Sequence, residues 1–351
     1  EEALTAWIYG DPHLVSFDGR AFDYHGVGEF VLTALPAEHI TVFARFAPVG
    51  ISGATYATSA VVDMPGARVQ ADVDQVSRVL RVRVNGADVD PLVALPLDGG
   101  ARIIPRPRGI VVRAQDGTRF DLFRRGATLS VKTSLRDTPV DVHGLLGNAN
   151  GDQADDLRSS TGTIVPDDRG HALYLTFGES WRTTTESSPF LYEPGTDWTS
   201  FNRVGYVPPA VSPSSLPAEV RDRAEATCRS QRITDPIVLA SCIVDVGLLD
   251  DTSLASEARS VQVDAVVRRR AGRARVRHAG FRPAHPPAPV GEPVRPVGPA
   301  GGLPRHAVVL GVGHRADAAH EAVRVVEHRG YFDDVPDVFV GGRDIPVADQ
   351  R

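Results

Sequence analysis

The stretch Ile110-Val111-Val112-Arg113-Ala114-Gln115-Asp116-Gly117-Thr118-Arg119-Phe120-Asp121-Leu122 sets two short apolar runs around a turn. Phe120 and Leu122 alternate with Arg119 and Asp121, so one face meets a core and the other meets water, as in an antiparallel strand. Gln115-Asp116-Gly117-Thr118 reads as a two-residue hairpin of type I′, a turn that requires positive φ. The pattern extends outward from there. Leu80, Val82 and Val84 alternate with Arg81 and Arg83, while Asn85-Gly86 and Asp98-Gly99 punctuate the neighbouring runs. From Leu14 to about Leu135 the period is mostly two. Many short strands, each with one apolar face, bury those faces by packing sheet on sheet. The expected fold is mainly β, an antiparallel β-sandwich.

After these strands comes Gly144-Leu145-Leu146-Gly147-Asn148-Ala149-Asn150-Gly151-Asp152-Gln153-Ala154-Asp155-Asp156-Leu157. Asn148, Asn150, Asp152, Asp155 and Asp156 place five oxygen-bearing side chains in nine residues, with Gly147 and Gly151 to bend the backbone. That density suits a hard cation such as Ca²⁺, which takes six to eight oxygen ligands in flexible geometry. No thiol or imidazole lies inside the loop, which argues against zinc or copper there. The loop is not an EF-hand: Gly151 falls at the fourth position and no Glu closes it.

A second motif lies near the other end of the same region. Gly10-Asp11-Pro12-His13-Leu14-Val15-Ser16-Phe17-Asp18-Gly19, followed by Phe22-Asp23-Tyr24 and Gly28-Glu29-Phe30-Val31-Leu32, resembles the opening of a von Willebrand factor type D domain. Gly144 to Leu157 resembles its end, where the family usually reads G-L-C-G-N-x-x-G-x-x-x-N/D-D. The segment from Trp181 is similar to the stretch that trails the domain in bacterial members, so the resemblance covers roughly residues 7 to 200. It implies a Ca²⁺ site made of Asp18, Asn148, Asn150, Asp155 and Asp156, with Asp152 giving a carboxylate or its backbone carbonyl. Leu146 stands where the family usually has cysteine, and residues 1–227 contain none. Polymerisation through disulfides therefore does not carry over.

Composition bounds the function. A hydrophobic fraction of 42% is ordinary for a globular protein and too high for a wholly disordered one. No apolar run approaches a membrane span, and no signal peptide is seen. The single methionine is Met64, so the chain reads as a mature product or an excised piece. Residues 1–262 carry a net −10 and residues 263–351 a net +4. An acidic body fits cation binding and argues against a nucleic-acid surface.

Four regions are expected: a β-domain over residues 5–200, a linker over 201–215, a small helical region over 216–262, and a disordered tail over 263–351. The linker reading rests on Pro208-Pro209-Ala210-Val211-Ser212-Pro213-Ser214-Ser215. Beyond it Val220, Ala224 and Cys228 fall on one helical stripe, and Asp235-Pro236 caps a second helix carrying Val238, Cys242 and Val246. Cys228 and Cys242 are the only cysteines. Two buried reduced thiols would fit a cytosolic protein; the extracellular habit of the family implies a disulfide instead. The tail is rich in arginine, proline, alanine and glycine without clear periodicity, as a disordered segment or a translation of GC-rich DNA in the wrong frame would be. Val308-Val309-Leu310-Gly311-Val312-Gly313 imitates a dinucleotide-binding turn, but too few residues come after it to hold that fold.

One dipeptide carries reactive chemistry. In Asp11-Pro12 the aspartyl carboxyl can attack its own carbonyl carbon while the proline nitrogen leaves, and His13 can assist the proton transfer. Some members of the family break this bond; in others proline only fixes the entry to a strand. An aspartate at its reference pKa of about 3.9 is ionised at neutral pH, so scission is expected only on acidification. No nucleophile–base pair, paired catalytic carboxylates or P-loop appears elsewhere, which removes a hydrolase from contention. The reading is an extracellular, secreted or cell-surface Ca²⁺-stabilised module for adhesion, binding an extracellular protein or glycan, with no nucleic acid and no membrane insertion. The alternatives are a self-processing protein and a purely structural spacer.

Overall fold

The computed structural model describes residues 4–50, 52–136, 141–166 and 170–263. The tail expected over 263–351 thus lies outside the described residues beyond Val263. The chain begins with the short strands β1 (Leu4–Tyr9), β2 (His13–Val15) and β3 (Ala21–Asp23). Five longer ones come next: β4 (Gly28–Leu35), β5 (Ile40–Pro48), β6 (Thr55–Met64), β7 (Ala67–Val73) and β8 (Leu80–Val84). Then come β9 (Ala87–Val89), β10 (Leu95–Pro96), β11 (Arg102–Arg106), β12 (Gly109–Arg113), β13 (Arg119–Arg125) and β14 (Thr128–Leu135).

They form two antiparallel sheets. One runs β10-β11-β12-β13-β14-β1-β2-β3, the other β4-β5-β6-β7-β8-β9. All but one of the neighbouring pairs are successive in sequence; the exception is β14 against β1, with Ile8 opposite Val131 and Leu4 opposite Leu135. That pairing joins the two halves of the eight-stranded sheet and carries the end of the strand region back to its beginning. Apolar side chains from both sheets meet in one core, with Ile8, Leu14, Ile110, Val112, Phe120 and Leu122 facing Leu32, Val42, Phe46, Val62 and Val69. The sandwich is the outcome that the period-two pattern requires.

The turns divide by chemistry. Asn85 (φ 49°) and Gly86 (φ 88°) both lie at positive φ between the paired residues Val84 and Ala87, which makes the two-residue type I′ hairpin. The Gln115–Thr118 turn is different, and the type I′ expectation there is corrected. Arg113 pairs with Arg119, leaving a five-residue loop in which only Gly117 has positive φ. The Asp116 carboxylate accepts from Thr118 N and Oγ1, so its side chain stabilises the longer turn. An Asp-Gly pair serves either geometry; the distance between the last paired residues decides.

A polar network, invisible to periodicity, fastens the segment after the sandwich. Glu29 on β4 is fully buried and its Oε1 accepts from Arg45 Nε on β5 at 2.9 Å. Its Oε2 accepts from Ser188 Oγ at 2.6 Å and Tyr192 Oη at 2.9 Å. The Arg45 guanidinium in turn lies over Phe201, at the end of α1 (Trp198–Phe201), at 3.8 Å from the ring centroid, and over Phe190 at 4.6 Å.

The helical region consists of α2 (Ala218–Ser230), α3 (Pro236–Leu249) and a further helical stretch over residues 254–263. Asp235 caps α3, its carboxylate accepting from Ile237 N and Val238 N, with Pro236 in the first turn. Ala224, Cys228, Ile233, Cys242, Val246 and Leu254 build a separate small core. Cys228 and Cys242 are bridged, with Cα atoms 6.1 Å apart. A core this small gains much from a staple, and closing a loop of about this length stabilises by roughly 3 kcal/mol. Protein from an oxidising medium should therefore show the Cys228–Cys242 peptide by mass spectrometry, and reduction should lower the denaturation midpoint. Free thiols at both positions would remove the staple and the compartment inferred from it.

Candidate functional site

Two clusters of carboxylates lie near the β1–β3 edge. The first is the acidic loop. Residues 144–147 run beside β4, where Leu145 N and Leu146 N donate to Val31 O and Leu32 O. Leu146 is wholly buried in the core, so leucine does by packing what the family's cysteine would do by cross-linking. The loop then meets the β2–β3 turn. Asp18 accepts from Gly151 N at 2.8 Å and Asn150 N at 3.1 Å, joining residues more than 130 positions apart.

The other loop carboxylates differ in environment. Asp155 accepts from Asn148 Nδ2 at 3.0 Å, from Asn150 Nδ2 at 3.1 Å and from Arg158 at 2.5 Å. Burial works to raise its pKa, but these donors outweigh it and hold the carboxyl below its usual range. Asp152 is exposed and accepts from Ala154 N at 2.9 Å. Asp156 is 1% exposed; its Oδ2 accepts from Ser16 Oγ at 2.6 Å and its Oδ1 has no hydrogen-bond partner. Burial pushes Asp156 up to about 7 despite the Ser16 bond, and the charge of Asp18 adds to the rise. Gly147 sits at φ 83°, and a Cβ there would run into the Asp156 carboxylate. All six residues inferred from the sequence lie in one loop system, with Asp156 innermost, Asp18, Asn148 and Asp155 half-buried, and Asn150 and Asp152 exposed.

The second cluster was only half visible in the sequence. Asp11 (1% exposed) and His13 (4%) meet Asp245 (1%), which α3 delivers from the helical region. His13 Nε2 lies 2.8 Å from Asp11 Oδ1 and 3.2 Å from Asp245 Oδ2, while Nδ1 lies 2.6 Å from Asp23 Oδ1. Gly10 makes the approach possible: it sits at φ 60°, and a Cβ there would collide with both Asp245 carboxylate oxygens. Burial pushes Asp11 up to about 8, against the pull of His13 and with the push of Asp245. For His13, burial acts to lower the pKa, and the carboxylates of Asp245, Asp11 and Asp23 outweigh it. The cluster therefore retains a proton at neutral pH. The reference pKa behind the sequence expectation holds for a solvated side chain, and this one is dry, so burial moves the Asp11 carboxyl well above it. His25, pushed down to about 4 by burial, is neutral and hydrogen-bonds the Asp11 carbonyl oxygen. Asp245, Asp23 and His25 were missed as partners because residues brought together by folding leave no spacing to read. Ser180 Oγ donates to Phe177 O at 2.6 Å, and the His143 ring stacks on Trp181.

A two-sheet sandwich whose opening turn and closing loop meet in an acidic site, backed by a disulfide-closed helical region, defines an extracellular β-module. Residues 6–163 match the family model of the von Willebrand factor type D domain. It is 26% identical over 198 residues to human Sushi domain-containing protein 2, covering 54% of this chain and 24% of that protein. To human IgGFc-binding protein it is 33% identical over 198 residues, covering 53% and 3%. To SCO-spondin of Gallus gallus it is 32% identical over 187 residues, covering 51% and 3%. The chain thus spans at most about a quarter of the length of these relatives. Its place is extracellular, in keeping with that domain and with a disulfide that oxidising compartments preserve. Among the described residues no helix is long and apolar enough to cross a membrane.

Proposed function

We propose that the chain is a Ca²⁺-stabilised adhesion module that holds its β1–β3 edge and acidic loop together around the ion and presents its surface to an extracellular protein or glycan. The observation that carries this reading is Asp156: a buried carboxylate with one oxygen unpartnered, next to a second carboxylate, Asp18, from the far end of the domain. A buried carboxylate beside a half-buried one repels it, and a divalent cation turns that repulsion into attraction. The asparagine and aspartate oxygens of residues 148–155 supply further hard ligands. The binding role rests on the family; IgGFc-binding protein takes its name from such a role.

Removal of the ion is the test. EDTA should lower the melting temperature of the full chain, and Ca²⁺ at a hundredfold excess over its dissociation constant should stabilise the fold by about 2.7 kcal/mol. Asp156→Asn should abolish the difference between EDTA and Ca²⁺. Since the ion must displace the proton from a carboxyl at about 7, affinity should fall roughly tenfold per pH unit below neutrality. Calorimetry that detects no Ca²⁺ binding at about millimolar concentration, at the upper end of the range for extracellular modules, removes the site.

A second reading, self-processing at Asp11-Pro12, is favoured by the proton that the Asp11–His13 pair retains and by the His25 contact to the carbonyl under attack.

A further inference from the structure

We propose that Asp11, His13 and Asp245 form a second metal site, distinct from the acidic loop, that takes a divalent transition ion of the Zn²⁺ class. One ligand atom from each residue can be chosen such that all lie within 4.8 Å of one another, and among the described residues no other His, Cys, Asp or Glu group does this. All three are nearly or wholly excluded from water. Both Asp11 carboxylate oxygens, Asp245 Oδ1 and His13 Nε2 make no hydrogen bond there, although Nε2 is close to two carboxylates. Buried charged groups are normally paired with satisfied geometry or bound to a metal. Here His13 is close enough to pair with both carboxylates, yet none of the four convergent atoms reaches hydrogen-bond geometry, and a cation at their centre would satisfy all of them.

The surroundings favour an ion independently of that count. Asp23 accepts a hydrogen bond from His13 Nδ1 at 2.6 Å, which fixes the tautomer and turns the Nε2 lone pair toward Asp11 and Asp245. A carboxylate behind a metal-binding histidine is the common outer-shell arrangement, orienting the ring and raising its basicity. One imidazole with two carboxylates suits zinc, which binds through three protein groups and leaves a position for water. Ca²⁺ wants six to eight oxygens and would be poorly served. Two carboxylates also balance the charge of a divalent ion. The Asp23 side chain is 53% exposed, so the second carboxylate bracing His13 reaches the surface.

Such an ion would clip α3 of the helical region to the β1–β2 hairpin. In a β-domain without cysteine it supplies a cross-link that disulfides cannot.

The test uses the full chain in buffer saturated with Ca²⁺, so that the acidic loop is filled, and titrates Co²⁺ as a spectroscopic stand-in. One Co²⁺ per chain should bind, give visible d–d absorption, and be displaced by Zn²⁺; Zn²⁺ should also raise the melting temperature. Asp245→Asn should weaken Co²⁺ binding at least tenfold. Asp23→Asn, at a half-exposed position that leaves the buried cluster intact, should weaken it tenfold to a hundredfold. Asp156→Asn should leave Co²⁺ binding unchanged while abolishing Ca²⁺ binding, which separates the two sites. The proposal is overturned if no Co²⁺ binds, or if Asp245→Asn and Asp23→Asn bind it as the parent does. It is equally overturned if only Asp156→Asn loses it.

Discussion

Glu29→Ala should lower the unfolding free energy by about 3–5 kcal/mol, the usual loss when one partner of a buried ion pair is removed. The carboxylate is the only acid within hydrogen-bonding reach of the Arg45 guanidinium among the described residues, and three hydroxyls (Thr183, Ser188 and Tyr192) converge on its other oxygen. Without it Arg45 stays buried against Phe190, Tyr192 and Phe201 with its charge uncompensated. The segment 182–202 should loosen first, because its docking runs through Glu29: Thr183 N donates to Glu29 O, and Asn202 Oδ1 accepts from Glu29 N. Urea denaturation gives the magnitude, and hydrogen exchange over residues 182–202 gives the place. The double variant Glu29→Leu with Arg45→Met should recover most of the loss, since apolar replacement of a whole buried pair is often neutral. A single variant within 1 kcal/mol of the parent would mean that the pair does not hold this segment.

Legibility in the sequence depends on the range of each signal. Alternation at Leu80–Val84 and Phe120–Leu122 is local, because burial of one sheet face dictates every second residue, so strands and sandwich were legible. The oxygen-rich loop was legible for the same reason: Asn148 to Asp156 lie within nine residues, and the turn glycines mark how they bend. Asp18 came from the family resemblance, and the structure places it against Asn150 and Gly151. Turn type at Asp116-Gly117 is not legible, because the pair is compatible with two loop lengths, and the register of β12 against β13 chooses the longer. Asp245 is the instructive case. In sequence it is an acid in the apolar run Ile243-Val244-Asp245-Val246, an anomaly on a helix that otherwise buries carbon. That anomaly was the available signal, but its partner His13 lies more than 230 residues away. Glu29 is its counterpart in the sheet, a charge between apolar neighbours that only Arg45 and the 182–202 segment explain.

The other large effect concerns the Asp11-Pro12 bond, where Asp11→Ala should abolish any scission outright. In that reaction an Asp11 side-chain oxygen attacks the Asp11 carbonyl carbon, the bond to Pro12 nitrogen breaks, and one proton moves to the departing amine. The products are a cyclic anhydride at Asp11, which water opens, and a new chain beginning at Pro12. The proton must come from the Asp11–His13 pair, as a neutral carboxyl or as an imidazolium beside a carboxylate; both forms carry the same single proton. Burial and the surrounding carboxylates hold that proton on the pair well above the usual carboxylate range. The rate should therefore persist through neutral pH and fall only under alkaline conditions, when the pair loses the proton that proline needs. An ordinary solvated aspartate would instead show scission confined to pH near 4. His25→Ala, which removes the neutral imidazole beside the Asp11 backbone, should slow the reaction. Incubation from pH 4 to 9, gel electrophoresis, and N-terminal sequencing of the new fragment distinguish these cases. A chain intact throughout, at temperatures where it stays folded, would mean that the cluster does not cut the Asp11-Pro12 bond.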